Sequence, residues 1–113
     1  MIVKTKEDAL LHCFDLWLWM ACNPERLKED WPGWIRNGGY LGRCMSHCPC
    51  CEYKENNNDE NMSCENICPL TWTVGGDWCG NDYSPYGKWN STIRLSLKTK
   101  YALEICALAI DAM

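Results

Sequence analysis

Two stretches decide the fold: TKEDALLHCFDLWLWMAC at residues 5–22 and TIRLSLKTKYALEICALAIDA at residues 92–112. In the first stretch, apolar residues recur three and four positions apart, as the buried face of a helix requires. They are Leu10, Phe14, Trp17 and Ala21, with Leu11 and Leu18 on the flank. Thr5 and Asp8 form an N-capping pattern, and Pro24 disfavours a helical residue before it. This stretch therefore predicts a helix over residues 5–22.

The second stretch has the same helical spacing and predicts a helix over residues 92–112. Its main apolar face contains Ile93, Leu97, Tyr101, Ile105, Leu108 and Ala112. Leu95, Leu103 and Ile110 widen the apolar surface, so we expect this helix to pack on two sides or on another molecule. Isolated helices of this length are marginally stable in water, so the two helices are expected to pack together. The predicted fold class is mainly α, with a small α+β fold as the alternative.

The segment between the helices, residues 37–90, shows almost no periodicity and is predicted to be irregular. Turn signals such as Asn37-Gly38-Gly39 and Ser84-Pro85-Tyr86-Gly87 interrupt it, and its best strand candidate is residues 71–74. An irregular segment of this length needs something other than secondary structure to order it. With 113 residues, the chain is expected to form a single domain over residues 1–113.

Ten cysteines in a chain of this length indicate either disulfides or metal ligation, and the cellular compartment decides between them. Residues 1–8 are mostly polar, and His12 and Asp15 interrupt the apolar run that follows, so no secretory signal is recognised. No run approaches the roughly 20 apolar residues that cross a bilayer. We therefore expect a cytoplasmic protein with reduced thiols and no membrane contact. A framework of five disulfides is the alternative.

The cysteines of the middle segment have the spacing of a zinc site. Cys48 and Cys51 are separated by two residues, and Cys64 and Cys68 by three. Zinc prefers four such ligands in a tetrahedron, and a tight turn can direct both sulfurs of each pair inward. The sequence therefore predicts one structural Zn²⁺ ion bound by these four cysteines.

Other residues leave the ligand set open. Cys44, His47, Cys50 and Cys79 lie near the two pairs and could replace a ligand or bind a second metal. We favour one zinc, because the side chain of a residue at the position of Cys50 usually points away from the metal. Cys13 and Cys106 fall near the apolar faces of the two helices and are predicted to be packing residues.

Several segments together resemble a group of small uncharacterised zinc-binding, cysteine-knuckle proteins encoded by tailed bacteriophages. The segments are Cys51-Glu52-Tyr53, Cys68-Pro69-Leu70, Trp72, Ser84-Pro85-Tyr86-Gly87-Lys88-Trp89 and Lys100-Tyr101-Ala102, after a Leu/Trp-rich helix. The similarity spans most of the chain. It implies a phage accessory protein that binds zinc in the host cytoplasm, with Cys48, Cys51, Cys64 and Cys68 matching the recurring cysteines. Cys44 and Cys50 depart from that pattern.

The seven tryptophans favour a protein that acts by contact with a host or phage protein, since aromatic residues dominate interface hot spots. Trp17 is predicted to lie in the core. Trp19, Trp31 and Trp34 are predicted to form an exposed patch, and Leu16 and Trp19 to add apolar surface beyond one helix contact. The zinc-binding segment, a second copy of the chain or a partner protein would cover that surface.

Two other functions are weaker. Four-cysteine zinc proteins often bind nucleic acid, but a formal net charge of −4 opposes contact with phosphates. The one local basic cluster (Lys88, Arg94, Lys98 and Lys100) is expected to be a solvated helix face. A zinc enzyme needs an open metal position and usually His or carboxylate ligands, whereas the chain has only His12 and His47 and lacks a His-Glu-x-x-His motif. We therefore do not expect an enzyme.

Overall fold

A computed structural model describes residues 5–36, 49–50 and 83–113. These residues form the helices α1 (Lys6–Cys22), α2 (Gly33–Arg36), α3 (Pro85–Ser91) and α4 (Leu95–Ala112), with a 3₁₀ turn at Lys28–Asp30. No strand occurs in these ranges. The N-terminal and C-terminal helices, α1 and α4, pack against each other. This confirms the predicted helical class and the predicted helix pair. The strand candidate at residues 71–74 lies outside the described residues.

Helix α1 has the bounds that its sequence predicts. Thr5 is the N-cap, and its hydroxyl oxygen accepts a hydrogen bond of 3.1 Å from the backbone N–H of Asp8. Glu7 and Asp8 place negative charge in the first turn, where the helix dipole favours it. At the other end, the side-chain amide of Asn23 donates to the carbonyl oxygen of Trp19 at 2.9 Å. Capping at both ends thus fixes the length of α1.

Helix α1 buries two stripes of side chains. The predicted stripe consists of Leu10, Phe14, Trp17 and Ala21, of which Phe14 is half-buried. The second stripe consists of Ala9, Cys13, Leu16 and Met20, all fully buried, so the apolar surface that Leu16 was expected to add is covered within the chain. A third stripe, Leu11, Asp15, Leu18 and Cys22, is exposed. Helix α1 is therefore covered on two sides and open on one.

Two hydrogen bonds define how α1 and α4 pair. The hydroxyl of Thr99 donates to the carbonyl oxygen of Ala21 at 3.0 Å, and the thiol of Cys106 donates to the carbonyl oxygen of Phe14 at 3.7 Å. The residue later in α4 thus bonds to the residue earlier in α1, so the helices are antiparallel. Ala102 and Ala109, both fully buried, share this side of α4, and side chains this small let two helix backbones approach closely. The small residues explain how α4 reaches the backbone of α1.

Helix α3 lies inside the segment that was predicted to be irregular. The Ser84-Pro85-Tyr86-Gly87 sequence is a helix start, because the hydroxyl of Ser84 accepts a 3.0 Å hydrogen bond from the N–H of Gly87. Proline suits the first helical position, where its missing N–H costs nothing. The same residue types that form turns therefore cap a helix here. Helix α3 packs on α4.

Helix α4 begins at Leu95, three residues later than predicted. Thr92 ends α3, and its backbone N–H donates to the carbonyl oxygen of Lys88 at 3.2 Å. Ile93 follows in the connection and is 93 % exposed, so its predicted place on the buried face is wrong. Helix α4 packs against both α1 and α3. Leu95, Leu103 and Ile110, which were expected to widen its packing surface, are exposed.

We predict that Ala102→Leu lowers the free energy of unfolding by about 1–3 kcal/mol, because extra methylenes at a filled helix contact force side chains and backbone to shift. Ala107→Leu, an exposed position on the same helix, is the matched control and should leave stability within about 0.5 kcal/mol. Chemical denaturation followed by circular dichroism measures both. Equal stability of the two variants would show that α1 and α4 are not closely packed at Ala102.

Candidate functional site

The predicted zinc ligands Cys48, Cys51, Cys64 and Cys68 lie outside the described residues. The same holds for the alternative ligands Cys44, His47 and Cys79. Within residues 5–36, 49–50 and 83–113, no group of three or more His, Cys, Asp or Glu side chains is placed to hold a metal ion. The zinc site therefore remains a prediction of the cysteine spacing.

The residues between Cys48 and Cys51 are described, and they pack on α1. Pro49 and Cys50 are helical and buried. The thiol of Cys50 lies 4.0 Å from the carbonyl oxygen of Ala9, in the first turns of α1. Cys50 therefore belongs to the core that α1 organises.

The remaining described cysteines are on the two long helices. Cys13 and Cys106 are buried in the core, as predicted, whereas Cys22 is exposed at the end of α1. Burial raises the pKa of the Cys106 thiol to about 11, and the negative charge that Cys22 and Asp15 can carry adds to the effect. Cys106 thus acts as a small apolar side chain with a weak hydrogen bond to α1.

The tryptophans are more buried than predicted. Trp17 is a core residue, as expected, but Trp31 and Trp34 are each only 2 % exposed, so their assignment to an exposed patch is wrong. Their rings meet edge to face with centroids 5.2 Å apart. Gly33 lies between them, and a Cβ at this position would overlap the indole of Trp31. The Pro-Gly pair that indicates a surface turn thus makes room for a buried ring. Trp19 is half-buried against the core.

An aromatic cluster with two lysines connects α3 to the rest of the core. Trp17 meets Trp89 edge to face at 5.0 Å and Tyr86 at 5.9 Å between ring centroids. The ammonium group of Lys28 lies 4.5 Å from the Tyr86 ring centroid and donates to its hydroxyl at 2.8 Å. The ammonium group of Lys98 lies 4.1 Å from the Trp89 ring centroid. Such contacts with ring faces favour a cation.

The two lysines in this cluster are positioned by the protein rather than by solvent. Lys98 donates to the carbonyl oxygen of Trp89 at 3.0 Å, and burial lowers its pKa below the ordinary value. The carbonyl oxygen of Lys28 accepts a 2.9 Å hydrogen bond from the indole of Trp34. The expected solvated basic face is therefore correct for Lys88, Arg94 and Lys100, which are exposed, but not for Lys98. Lys28 and Lys98 therefore contribute to the packing of the aromatic cluster.

Exposed apolar residues line one side of the helix pair. Leu11 and Leu18 on α1 are 54 % and 41 % exposed, and Leu103 and Ile110 on α4 are 48 % and 57 % exposed. We call these four residues the leucine seam. Leu103 and Ile110 are exposed as the sequence predicts, but the two α1 members were not singled out. The signal for them was their seven-residue separation, which equals that of Leu103 and Ile110.

Comparison with known proteins gives no matching family model, no matching curated protein and no matching solved structure. Among the described residues, none of the helices is both long enough and apolar enough to cross a membrane.

We predict that Cys22 reacts with iodoacetamide much faster than Cys106 does. The thiolate is the nucleophile, and a pKa of about 11 instead of the ordinary 9.0 leaves about a hundredfold less thiolate at Cys106. Burial slows the reaction further. Peptide mapping by mass spectrometry after timed alkylation at pH 8 separates the two sites. Equal rates in the folded protein would show that the α1–α4 contact does not bury Cys106.

Proposed function

We propose that this protein is a small zinc-stabilised module that acts by contact with another protein and not by catalysis. The observation that carries the proposal is the leucine seam, in which four large apolar side chains are each at least two-fifths exposed. Exposed leucines scattered singly are ordinary, whereas an apolar group in line along two packed helices is typical of an interaction surface.

The seam is not needed for the packing of the helices. The buried residues of α4 are Ala102, Ile105, Cys106 and Ala109, and those of α1 form the two stripes described above. The seam residues lie beside these stripes and stay exposed even though the core is filled without them. Their apolar character therefore has no explanation within the described core, and a partner that covers them would supply one.

Zinc has the role of a structural support in this proposal. The spacing of Cys48, Cys51, Cys64 and Cys68 suits four thiolate ligands, and such a closed site leaves no position for a reacting water. The burial of Cys50 against Ala9 supports a middle segment that is anchored on α1. Metal binding would then contribute directly to the folding of that segment.

The biological setting that we propose follows from the resemblance to phage-encoded cysteine-knuckle proteins. In that setting the protein works in the cytoplasm of a host cell, where thiols stay reduced and available to zinc. Its partner would be a host or phage protein. Nucleic acid binding is the alternative function, and the net charge of −4 opposes it.

We predict that the purified protein contains about one zinc per chain and that Cys51→Ser or Cys68→Ser removes it. Each variant should also lower the melting temperature, since structural zinc contributes roughly 10–16 kcal/mol to small zinc-dependent folds. Cys22→Ser, a change at an exposed thiol on α1, is the control and should keep the metal. Elemental analysis and calorimetry measure both effects. A variant that retains zinc and stability would show that the other cysteines of the middle segment bind the metal.

We predict that Leu18→Ser combined with Leu103→Ser abolishes association with the partner, because the variant replaces two of the four seam residues with polar groups. Zinc content and the helical circular dichroism signal should not change, since both side chains are exposed. Ile93→Ser, at an exposed apolar position outside the seam, is the control. Affinity capture from host-cell lysate and analytical ultracentrifugation detect a partner and a second copy of the chain, respectively. A monomeric chain that captures nothing would contradict the proposed function.

A further inference from the structure

Positive charge is concentrated in α3 and the first half of α4. Residues 83–103 contain four cations and no carboxylate, although the formal net charge of the chain is −4. The rest of the chain therefore carries a formal charge of −8. We call the four cations, Lys88, Arg94, Lys98 and Lys100, the basic patch. This separation of charge gives one part of a negative protein a positive potential.

Two lysines of the basic patch approach one aromatic ring from different helices. The ammonium group of Lys88, on α3, lies 5.9 Å from the ring centroid of Tyr101. The ammonium group of Lys100, on α4, lies 5.8 Å from the same centroid. The two ammonium groups are therefore at most about 12 Å apart. The packing of α3 on α4 thus brings both charges within reach of one acidic ligand.

Arg94 and Lys98 extend the basic patch along α4. They are four residues apart, and Tyr101 follows Lys98 by three residues, so all three lie on one side of the helix. That side faces α3, because Lys98 donates a 3.0 Å hydrogen bond to the carbonyl oxygen of Trp89. The four cations therefore lie along the contact between α3 and α4.

Carboxylates of the described residues do not neutralise the basic patch. Three of its four cations are exposed, and Lys98 is half-buried. Among residues 5–36, 49–50 and 83–113, the ion pair found is between Arg26 and Glu25. The first carboxylate on α4 is Glu104, one helical turn after Lys100, and it forms no ion pair with that lysine. The patch can therefore pair with an anion from outside the chain.

The aromatic rings of the basic patch favour an acidic peptide over nucleic acid. Bases stack on open aromatic faces, but Trp89 is 6 % exposed and has the ammonium group of Lys98 over its ring. Tyr101 is half-buried and has a lysine from each helix near its ring. The negative charge of the rest of the chain would also repel a long phosphate backbone, whereas a short peptide contacts the patch alone.

We propose that the basic patch binds a short acidic segment of a partner protein, whose aspartate or glutamate side chains pair with Lys88 and Lys100 first. In an extended segment, carboxylates three or four residues apart span roughly 12 Å. The inference goes beyond the proposed function, because it uses a surface other than the leucine seam. Tyr101 and Leu103 are about 160° apart around α4, on nearly opposite sides.

The test uses the full-length protein and three fluorescent probes of about 12 units each. The first probe is a peptide of alternating glutamate and serine, the second has glutamine in place of every glutamate, and the third is single-stranded oligothymidine. We expect the glutamate peptide to bind about tenfold or more tightly than either other probe in fluorescence anisotropy at low salt. Its affinity should fall several-fold at about 0.5 M salt, where exposed ion pairs are screened.

Variants connect the binding to the basic patch. Lys88→Gln and Lys100→Gln should each weaken the glutamate peptide about threefold, and together about tenfold, as the loss of one and two interfacial ion pairs predicts. Lys6→Gln makes the same charge change at an exposed position, at the end of the antiparallel helix pair away from Arg94, and should leave the affinity unchanged. Circular dichroism should be the same for all variants, since the three lysines are exposed.

Equal binding of the glutamate and glutamine peptides would overturn the inference, as would equal effects of Lys100→Gln and Lys6→Gln. Tighter binding of the oligonucleotide would also overturn it and would assign the basic patch to nucleic acid. The seam variant, Leu18→Ser with Leu103→Ser, should bind the glutamate peptide as the unchanged chain does, and a loss of binding there would contradict two separate surfaces. The proposed function can thus fail, through a seam that associates with nothing, while the basic patch still binds the peptide.

Discussion

The close antiparallel contact between α1 and α4 is the interaction on which the rest of the structure depends. Cys106 reaches the carbonyl oxygen of Phe14 across this contact, and buried alanines on α4 keep the two backbones near each other. With α4 in this position, α3 can pack on α4 with its aromatic rings against Trp17. The exposed side of the pair, with the leucine seam, follows from the same contact.

The aromatic cluster shows how lysines can stabilise a core in a chain of net negative charge. Lys28 and Lys98 each place an ammonium group over a ring face and donate to an oxygen acceptor beside it. These contacts offset the hydration that the two ammonium groups lose on burial. Among the described residues, the indole N–H of Trp89 is the one buried side-chain nitrogen or oxygen without a hydrogen-bond partner. The packing of the rings therefore outweighs the missing hydrogen bond.

The long helices were predictable from the sequence because their signals are local. Periodicity, the Thr5 cap and Pro24 define α1, and periodicity alone places most of α4. Helix α3 was missed because Ser84 and Pro85 suit both a turn and a helix start. The burial of Trp31 and Trp34 could not be predicted, because it depends on the space that Gly33 leaves and on the backbone oxygen of Lys28. The seam, in turn, needed the register between two distant helices.

The three stripes of α1 also differ in how freely evolution can change them. A substitution at Ala9 or Met20 alters the core and requires a compensating change in a neighbour. Leu11 and Leu18, in contrast, are about half exposed, so substitutions there disturb the core less. Retention of leucine at both positions in related chains would therefore indicate selection for binding. Substitution rates at the buried and the seam positions of α1 would then distinguish selection for folding from selection for binding.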